Sequence, residues 1–196
     1  MNLKGTKTLE NLMKAFAGES QARNRYMMYA KVADKEGLKQ IAAIFQETAD
    51  NEMAHANRFF KLAAAGLEGE MPAMVEINAS YPVAIGNTLE NLKAAAAGEN
   101  EEWAHMYPEF ARIAEEEGFK EIATAFRMIA KAETAHETRY RKLVENLEKG
   151  VVFKRDGKYF WKCRNCGYIH EGTAAPQVCP ACQHPQAYFE LFVENY

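Results

Sequence analysis

The chain has 196 residues, 48% hydrophobic and 26% charged, a balance that permits a packed core and excludes an extended disordered chain. A formal net charge of −3 offers no electrostatic basis for nucleic acid or an anionic membrane as a partner. No apolar run approaches the ~20 residues that a bilayer requires, and the opening MNLKGTKTLENLMKAF has no secretory apolar core, so a cytoplasmic protein is expected.

Residues 1–149 are rich in Ala, Glu, Lys, Met and Leu and predict four helices, roughly 6–35, 38–66, 87–117 and 119–149. Thr6 or Thr8 and Thr88 have the chemistry of N-caps, and Gly37 and Gly118 divide each pair of helices. Pro108 falls inside the third stretch and is expected to bend it. The stretches repeat. NLMKAFAGES (11–20) matches NLKAAAAGEN (91–100) at an offset of 80. EGLKQIAAIF (36–45) matches EGFKEIATAF (117–126) at 81, as DNEMAHANRFFKL (50–62) matches KAETAHETRYRKL (131–143). Two helical hairpins make a four-helix bundle. The segment between them, 67–86, is longer than a tight turn needs and can join helices that point the same way. The prediction is a mainly α, ferritin-like bundle with one long crossover.

Both repeats carry Glu-x-x-His: Glu52 with His55, and Glu133 with His136. Residues three apart share a helix face and can reach one metal. The first helix of each repeat adds a matched glutamate, Glu19 or Glu99. One Glu-x-x-His alone is ordinary on a solvated helix. Two in register with two further glutamates form the donor set that bundles use for a pair of metals. Ala15, Phe16, Ala22, Met53, Ala54, Ala95, Ala132 and Ala135 suggest apolar surroundings, in which unpaired carboxylates would need a counter-ion. Oxygen donors mixed with imidazole suit iron or manganese.

The repeats differ at one telling place. GENEE (98–102) carries Glu102 where GESQA (18–22) has Ala22. Glu102 follows Glu99 by three residues on the same helix face and would be a fifth carboxylate, whereas Glu101 is expected to be exposed. Two ferrous ions carry the same total charge as two ferric ions sharing an oxide. Such a site would keep its charge through a two-electron cycle, which favours reversible chemistry over storage.

Composition changes at Gly150, so the chain is divided into residues 1–149 and 150–196. The second part holds all four cysteines as two C-x-x-C pairs, Cys163 with Cys166 and Cys179 with Cys182. In a chain without a secretory leader this spacing points to a tetrahedral thiolate site for zinc or a single iron, zinc being favoured on spacing alone. Tyr159, Phe160, Trp161, Tyr168, Tyr188, Phe189 and Phe192 are expected to pack this module, with His170 and His184 structural rather than ligating.

Taken together, GES with Glu19, NEMAH, GENEE, AETAH and the tail CRNCGYIHEG…CPACQHP resemble the rubrerythrin family over essentially the whole chain. The resemblance implies a rubredoxin-like tail holding one iron on four thiolates, which reverses the preference for zinc, although zinc substitution remains open in any sample. The tail departs from free-standing rubredoxins in its closer cysteine pairs and in Gln183, where those have Gly. The family implies a non-haem di-iron peroxidase that reduces hydrogen peroxide to water in oxidative-stress defence. Glu52 and Glu133 would bridge two irons, Glu19 would bind one, and Glu99 with His136 the other. Glu102 and His55 would exchange on the first iron with redox state. Tyr26, seven residues after Glu19, and Tyr107, eight after Glu99, are placed to hydrogen-bond ligand carboxylates, whereas Trp103 reads as packing.

The family also implies a head-to-tail homodimer, with helices exchanged through 67–86 as one form of it. No G-x-G-x-x-G is present, so a separate reductase or rubredoxin would supply electrons. The main alternative is a ferritin-like ferroxidase or iron-handling protein. A plain electron carrier and a zinc-ribbon adaptor are lesser ones.

Overall fold

The computed structural model describes residues 2–67, 69 and 72–195, so residues 68, 70 and 71 of the predicted crossover and the two end residues lie outside the described residues. Among the described residues, five α-helices occupy the first part: α1 (Lys7–Lys35), α2 (Lys39–Ala65), α3 (Thr88–Glu101), α4 (Tyr107–Glu116) and α5 (Lys120–Glu148). The third predicted stretch is thus two helices, joined by a π turn at Glu102–Met106. Among the described residues, no helix is long and apolar enough to cross a membrane.

Local chemistry sets the ends. Thr6 caps α1, its hydroxyl accepting from the Leu9 N–H at 3.2 Å. Thr88 does not cap α3 as expected but is its first residue. Asn87 is the cap because its side chain accepts from the Glu90 N–H at 3.0 Å while Glu90 accepts from the Asn87 N–H at 2.9 Å, a reciprocal capping box. Gly37 and Gly118 take φ values of +75° and +87° in the two hairpin turns, a region that side chains with a Cβ avoid.

Each hairpin caps the other. The Glu117 carboxylate accepts from the Lys7 and Thr8 N–H groups at 3.0 and 2.8 Å, and the Glu36 carboxylate from the Thr88 N–H at 3.1 Å. These bonds place the start of α3 beside the end of α1, and the end of α4 beside its start. Since α2 runs antiparallel to α1, α2 and α3 point the same way. The crossover therefore returns along the bundle, held to α1 by Tyr81 donating to the Lys14 carbonyl (3.1 Å) and Tyr29 donating to the Ala84 carbonyl (2.8 Å).

The π turn has a cause in the sequence. The Tyr107 N–H bonds the Glu102 carbonyl, five residues back. The repeat offset changes from 80 to 81 across this stretch, so one extra residue sits between Glu99 and Tyr107 relative to the span between Glu19 and Tyr26. A π turn absorbs one inserted residue without breaking the helix. Pro108 accordingly does not bend a helix interior. It lies in the first turn of α4, where its missing N–H costs little.

The bundle core is two apolar clusters with an acidic layer between them. Leu12, Phe59, Ile122 and Phe126 anchor one cluster, and Tyr29, Phe45, Leu92 and Tyr140 the other. Of the expected apolar neighbours of the acids, Ala15, Ala22 and Ala95 are buried, whereas Met53, Ala54 and Ala135 are exposed and Phe16 and Ala132 half-buried. On a helix only residues three or four away share a face, so the immediate neighbours of Glu52 and Glu133 turn outward.

The second part is a three-stranded antiparallel sheet, β1 (Lys154–Cys163), β2 (Ile169–Ala174) and β3 (Phe189–Leu191), in the order β2-β1-β3. Trp161, Cys163, Ala175, Cys179 and Phe189 form its core, with Tyr168 and Tyr188 packed against it. Tyr159 and Phe160 are exposed instead of packing, because a single small sheet buries one face and Phe160 points to the other. The Lys39 ammonium stands 5.2 Å above the Tyr188 ring, which seats this module on the α1–α2 end of the bundle.

Candidate metal centres

Four helices deliver the acids and imidazoles to the middle of the bundle. α1 brings Glu19, α2 brings Glu52 and His55, α3 brings Glu99, and α5 brings Glu133 and His136. They form two overlapping donor groups, Glu19–Glu52–His55–Glu133 and Glu52–Glu99–Glu133–His136, each with ligand atoms within 4.8 Å of one another. Glu52 and Glu133 belong to both. Glu102 belongs to neither group; it stands half-buried on the π turn beside them.

The polar atoms crowd together, and only some of them satisfy one another, as His55 Nδ1 does with Glu52 Oε2 at 3.1 Å. His136 Nδ1 lies 2.7 Å from Glu133 Oε2, 3.3 Å from Glu52 Oε1 and 3.5 Å from Glu99 Oε2. Yet His136 Nδ1, Glu19 Oε2, Glu52 Oε1, Glu99 Oε2 and both Glu133 oxygens are buried without a hydrogen-bond partner. Six such orphans in one cluster need shared cations or bound protons to offset their burial. Cations between them resolve the cost, and the mixed carboxylate and imidazole donors suit iron.

Two tyrosines select the free oxygens. Tyr26 donates to Glu99 Oε1 at 2.5 Å, and Tyr107 donates to Glu19 Oε1. Each phenol occupies one carboxylate oxygen and leaves Oε2 for a metal. Each also reaches across to the glutamate of the opposite repeat. Burial drives both phenol pKa values well up, and neighbouring carboxylates add to this, so both stay donors.

Protons hold the layer together when metal is absent. Burial raises Glu19 well above the usual carboxylate range, with Glu133 and Glu52 adding to the effect. Burial likewise lifts Glu99 to about 8 and raises Glu102. Glu52 is desolvated too, but the His136 and His55 imidazoles beside it bring it down to about 2. Desolvation opposes charge on His136, but Glu133, Glu52 and Glu99 win and raise it to about 12; His55 moves up likewise. A metal pair would displace these protons.

An open cavity of about 390 Å³ adjoins the layer, lined by Gly18, Arg25, Tyr81, Gly98, Glu102 and Met106 among others. Glu102 lies at its edge, between the crossover and the acidic layer. Glu101 is exposed. Trp103 does more than pack: its Nε1 donates to Glu137 Oε2 at 2.5 Å. Glu137 escaped the sequence reading. The signal that could have flagged it is the repeat, in which Glu137 stands where the first copy has Ala56.

In the second part the four sulfurs converge, all within 4.8 Å. Cys163 and Cys182 Sγ are 3.8 Å apart, and Cys166 and Cys179 Sγ 3.7 Å. A tetrahedron with ~2.3 Å metal–sulfur bonds has edges of about 3.8 Å, so the spacing fits one metal and no disulfide is formed. The two knuckles are built alike. The Gly167 N–H bonds the Cys163 carbonyl at 2.8 Å, and the Gln183 N–H bonds the Cys179 carbonyl at 2.9 Å. Gly167 has a φ of +80° and Gln183 +60°, so the second knuckle holds a strained residue where the first has glycine. His170 and His184 stand outside the sulfur group; His184 packs edge-on against Tyr188 at 4.6 Å.

Comparison with known proteins covers both parts of the chain. The rubrerythrin family model matches residues 10–144, and the model of the rubrerythrin rubredoxin-like domain matches residues 161–190. Rubrerythrin-1 of Clostridium acetobutylicum is 62% identical over 196 residues, covering 100% of this chain and 99% of that protein. Rubrerythrin of Nitratidesulfovibrio vulgaris is 51% identical over the same length, with 99% of that protein covered. Among solved structures, partially reduced nigerythrin superposes with a TM-score of 0.63 at 33% identity, covering 97% of this chain and 92% of that one. Bacterioferritin BfrA of Mycobacterium tuberculosis shares the bundle fold, with a TM-score of 0.65 at 21% identity over 76% of this chain and 90% of that one. With matching models over both parts and full-length relatives above half identity, this chain belongs to the rubrerythrin family, iron-binding proteins of oxidative-stress defence.

Proposed function

We propose that the chain is a peroxidase that reduces hydrogen peroxide to two molecules of water, taking up two electrons and two protons. The observation that carries this reading is the two overlapping donor groups with six orphaned buried atoms, flanked by a further carboxylate that faces an open cavity. A ferrous pair, when bound, supplies the two electrons that split the O–O bond. Glu52 and Glu133 would be shared by the two metals, because each belongs to both donor groups. Glu19 would hold one iron, and Glu99 with His136 the other. Tyr107 and Tyr26 keep the terminal carboxylates oriented with Oε2 inward.

Glu102 and His55 are the exchanging pair. Here His55 stands in the first donor group and Glu102 outside it. Burial lets Glu102 carry a proton to the cavity edge, where a small oxidant would enter.

The tail, taken as residues 150–196, would hold one further iron and pass electrons one at a time from a separate reductase or rubredoxin. Its seat beside Lys39 is 13 residues along α2 from Glu52, ~20 Å at 1.5 Å per residue. That separation supports a head-to-tail homodimer in which the second copy's tail approaches this centre, with exchange of helices through the crossover as one route to it.

The test is anaerobic loading with iron, metal analysis and peroxide turnover with a reducing system. About three irons per chain, two in the bundle and one on the thiolates, with many peroxides consumed per chain, is the expected result. Iron accumulating beyond this without sustained turnover would favour the ferroxidase reading.

A further inference from the structure

One buried charge has no part in either donor group. Glu137 follows His136 on α5, is 6% exposed, and faces α3 and the π turn. Its Oε2 accepts from Trp103 Nε1 at 2.5 Å and from Asn100 Nδ2 at 3.2 Å, and its Oε1 accepts from Arg141 Nε at 2.5 Å. Asn100 and Trp103 bracket Glu102 in sequence. The clamp therefore grips the backbone on both sides of that residue.

The repeat provides an internal control. At an offset of 81, Glu137 corresponds to Ala56 and Arg141 to Phe60; at 80, Asn100 corresponds to Ser20. The Ser20 hydroxyl donates to the Phe16 carbonyl of its own helix at 2.6 Å and makes no bridge to α2. The clamp thus exists only in the half that carries the π turn and the extra carboxylate. A π turn has an alternative, the ordinary α register. One residue of register turns a side chain by ~100° about the helix axis. The inserted residue makes the π turn, and contacts from α5 can hold it in place.

We propose that Glu137 is a positioning residue that clamps the π turn through Trp103 and Asn100 and thereby sets how far the Glu102 carboxylate reaches toward the metal pair. This rests on Glu102 being the exchanging ligand of the proposed function. A carboxylate that reaches the pair favours the ferric state. Here the clamp is formed while Glu102 stands outside both donor groups, so loss of the clamp should free Glu102 to reach the pair, lower the midpoint potential of the bundle irons and leave the four-cysteine iron of the same chain unmoved.

The experiment uses full-length Glu137→Ala, Glu137→Gln and Trp103→Phe, each also in a Glu102→Gln background. Metal-free protein is examined by amide hydrogen exchange over residues 102–107, and iron-loaded protein by anaerobic redox titration. In Glu137→Ala, faster exchange at 102–107 is expected, with ferric over ferrous binding strengthened about tenfold per electron, a potential lower by ~59 mV. Trp103→Phe should shift part of the way. Glu137→Gln should restore most of the wild-type value, since its amide oxygen still accepts from the indole. In the Glu102→Gln background Glu137→Ala should add nothing. Faster exchange with no change of potential would overturn the inference, as would a shift that persists without Glu102. If wild-type chain fails to turn over peroxide while this coupling holds, the peroxidase reading falls and the clamp stands.

Discussion

Replacing Tyr107 with phenylalanine deletes one oxygen atom and leaves the ring in place. The hydroxyl donates to Glu19 Oε1, and both side chains are fully buried, so no water can take over the bond. The ring still packs against Phe59 and Phe126 at centroid distances of 5.6 and 5.9 Å, so no cavity of consequence opens. What remains is a buried carboxylate oxygen without its donor, which costs about 1–3 kcal/mol. In the metal-loaded protein the loss is felt as orientation, since Glu19 could then turn either oxygen inward. Loss of such a supporting bond lowers metal affinity about 10–100-fold. Competition with a chelator, read separately for the two bundle metals, should show Tyr107→Phe weakening the metal held by Glu19. Tyr26→Phe should weaken the one held by Glu99. Tyr29→Phe is the control, because Tyr29 is as buried but donates to the Ala84 carbonyl of the crossover and touches no ligand. It should lower thermal stability without changing affinity. Equal affinity changes in all three variants, or none in Tyr107→Phe beyond twofold, would refute the reasoning.

Glu102→Ala should keep ferrous binding near wild type, because Glu102 stands outside both donor groups here, yet cut peroxide turnover at least tenfold in a steady-state assay; unchanged turnover would point to the electron-carrier reading. Stability of the metal-free protein should fall as pH rises from about 5 to 8. Glu19, Glu99 (about 8), Glu102, His55 and His136 (about 12) all have folded pKa values raised above their unfolded ones, so the folded state binds more protons. Their stabilisation is present below the unfolded values and is lost through the folded ones, by about 1.4 kcal/mol per pH unit per extra proton. Glu52, at about 2, acts only below this window. Thermal melts should show this slope and show it flatten on metal loading, when the protons are displaced; a melting point independent of pH without metal would contradict the assignment. Gln183→Gly should stabilise the tail by about 1 kcal/mol, measured as slower loss of its metal to a chelator, by relieving an exposed left-handed backbone at φ +60°. Cys182→Ser should strip that metal and leave the helical signal of the bundle in circular dichroism, since the tail and the bundle have separate cores.

Much of this protein is periodic, and periodicity is written in the chain. Helix spans, the doubled Glu-x-x-His and the paired C-x-x-C depend on spacing along one element, and spacing of three residues already implies a shared face. The cross-pairing of Tyr26 with Glu99 and Tyr107 with Glu19 was only half legible. Seven- and eight-residue separations place each tyrosine near a ligand face, but which carboxylate it meets depends on how the two hairpins pack. The π turn was present in the numbers as the change of offset from 80 to 81, although Pro108 drew the expectation of a bend instead. Asn87 displaced Thr88 as a cap because the reciprocal bond with Glu90 needs the residue three before it.

By itself the sequence determined which residues are chemically able to hold metal, because donor identity and spacing are local. Only the tertiary structure decided that Glu52 and Glu133 are shared, that Glu102 stands aside from both donor groups, and that Glu137 grips the turn carrying it. Those facts are distances between elements far apart in the chain, and such distances come from packing, which no local period encodes.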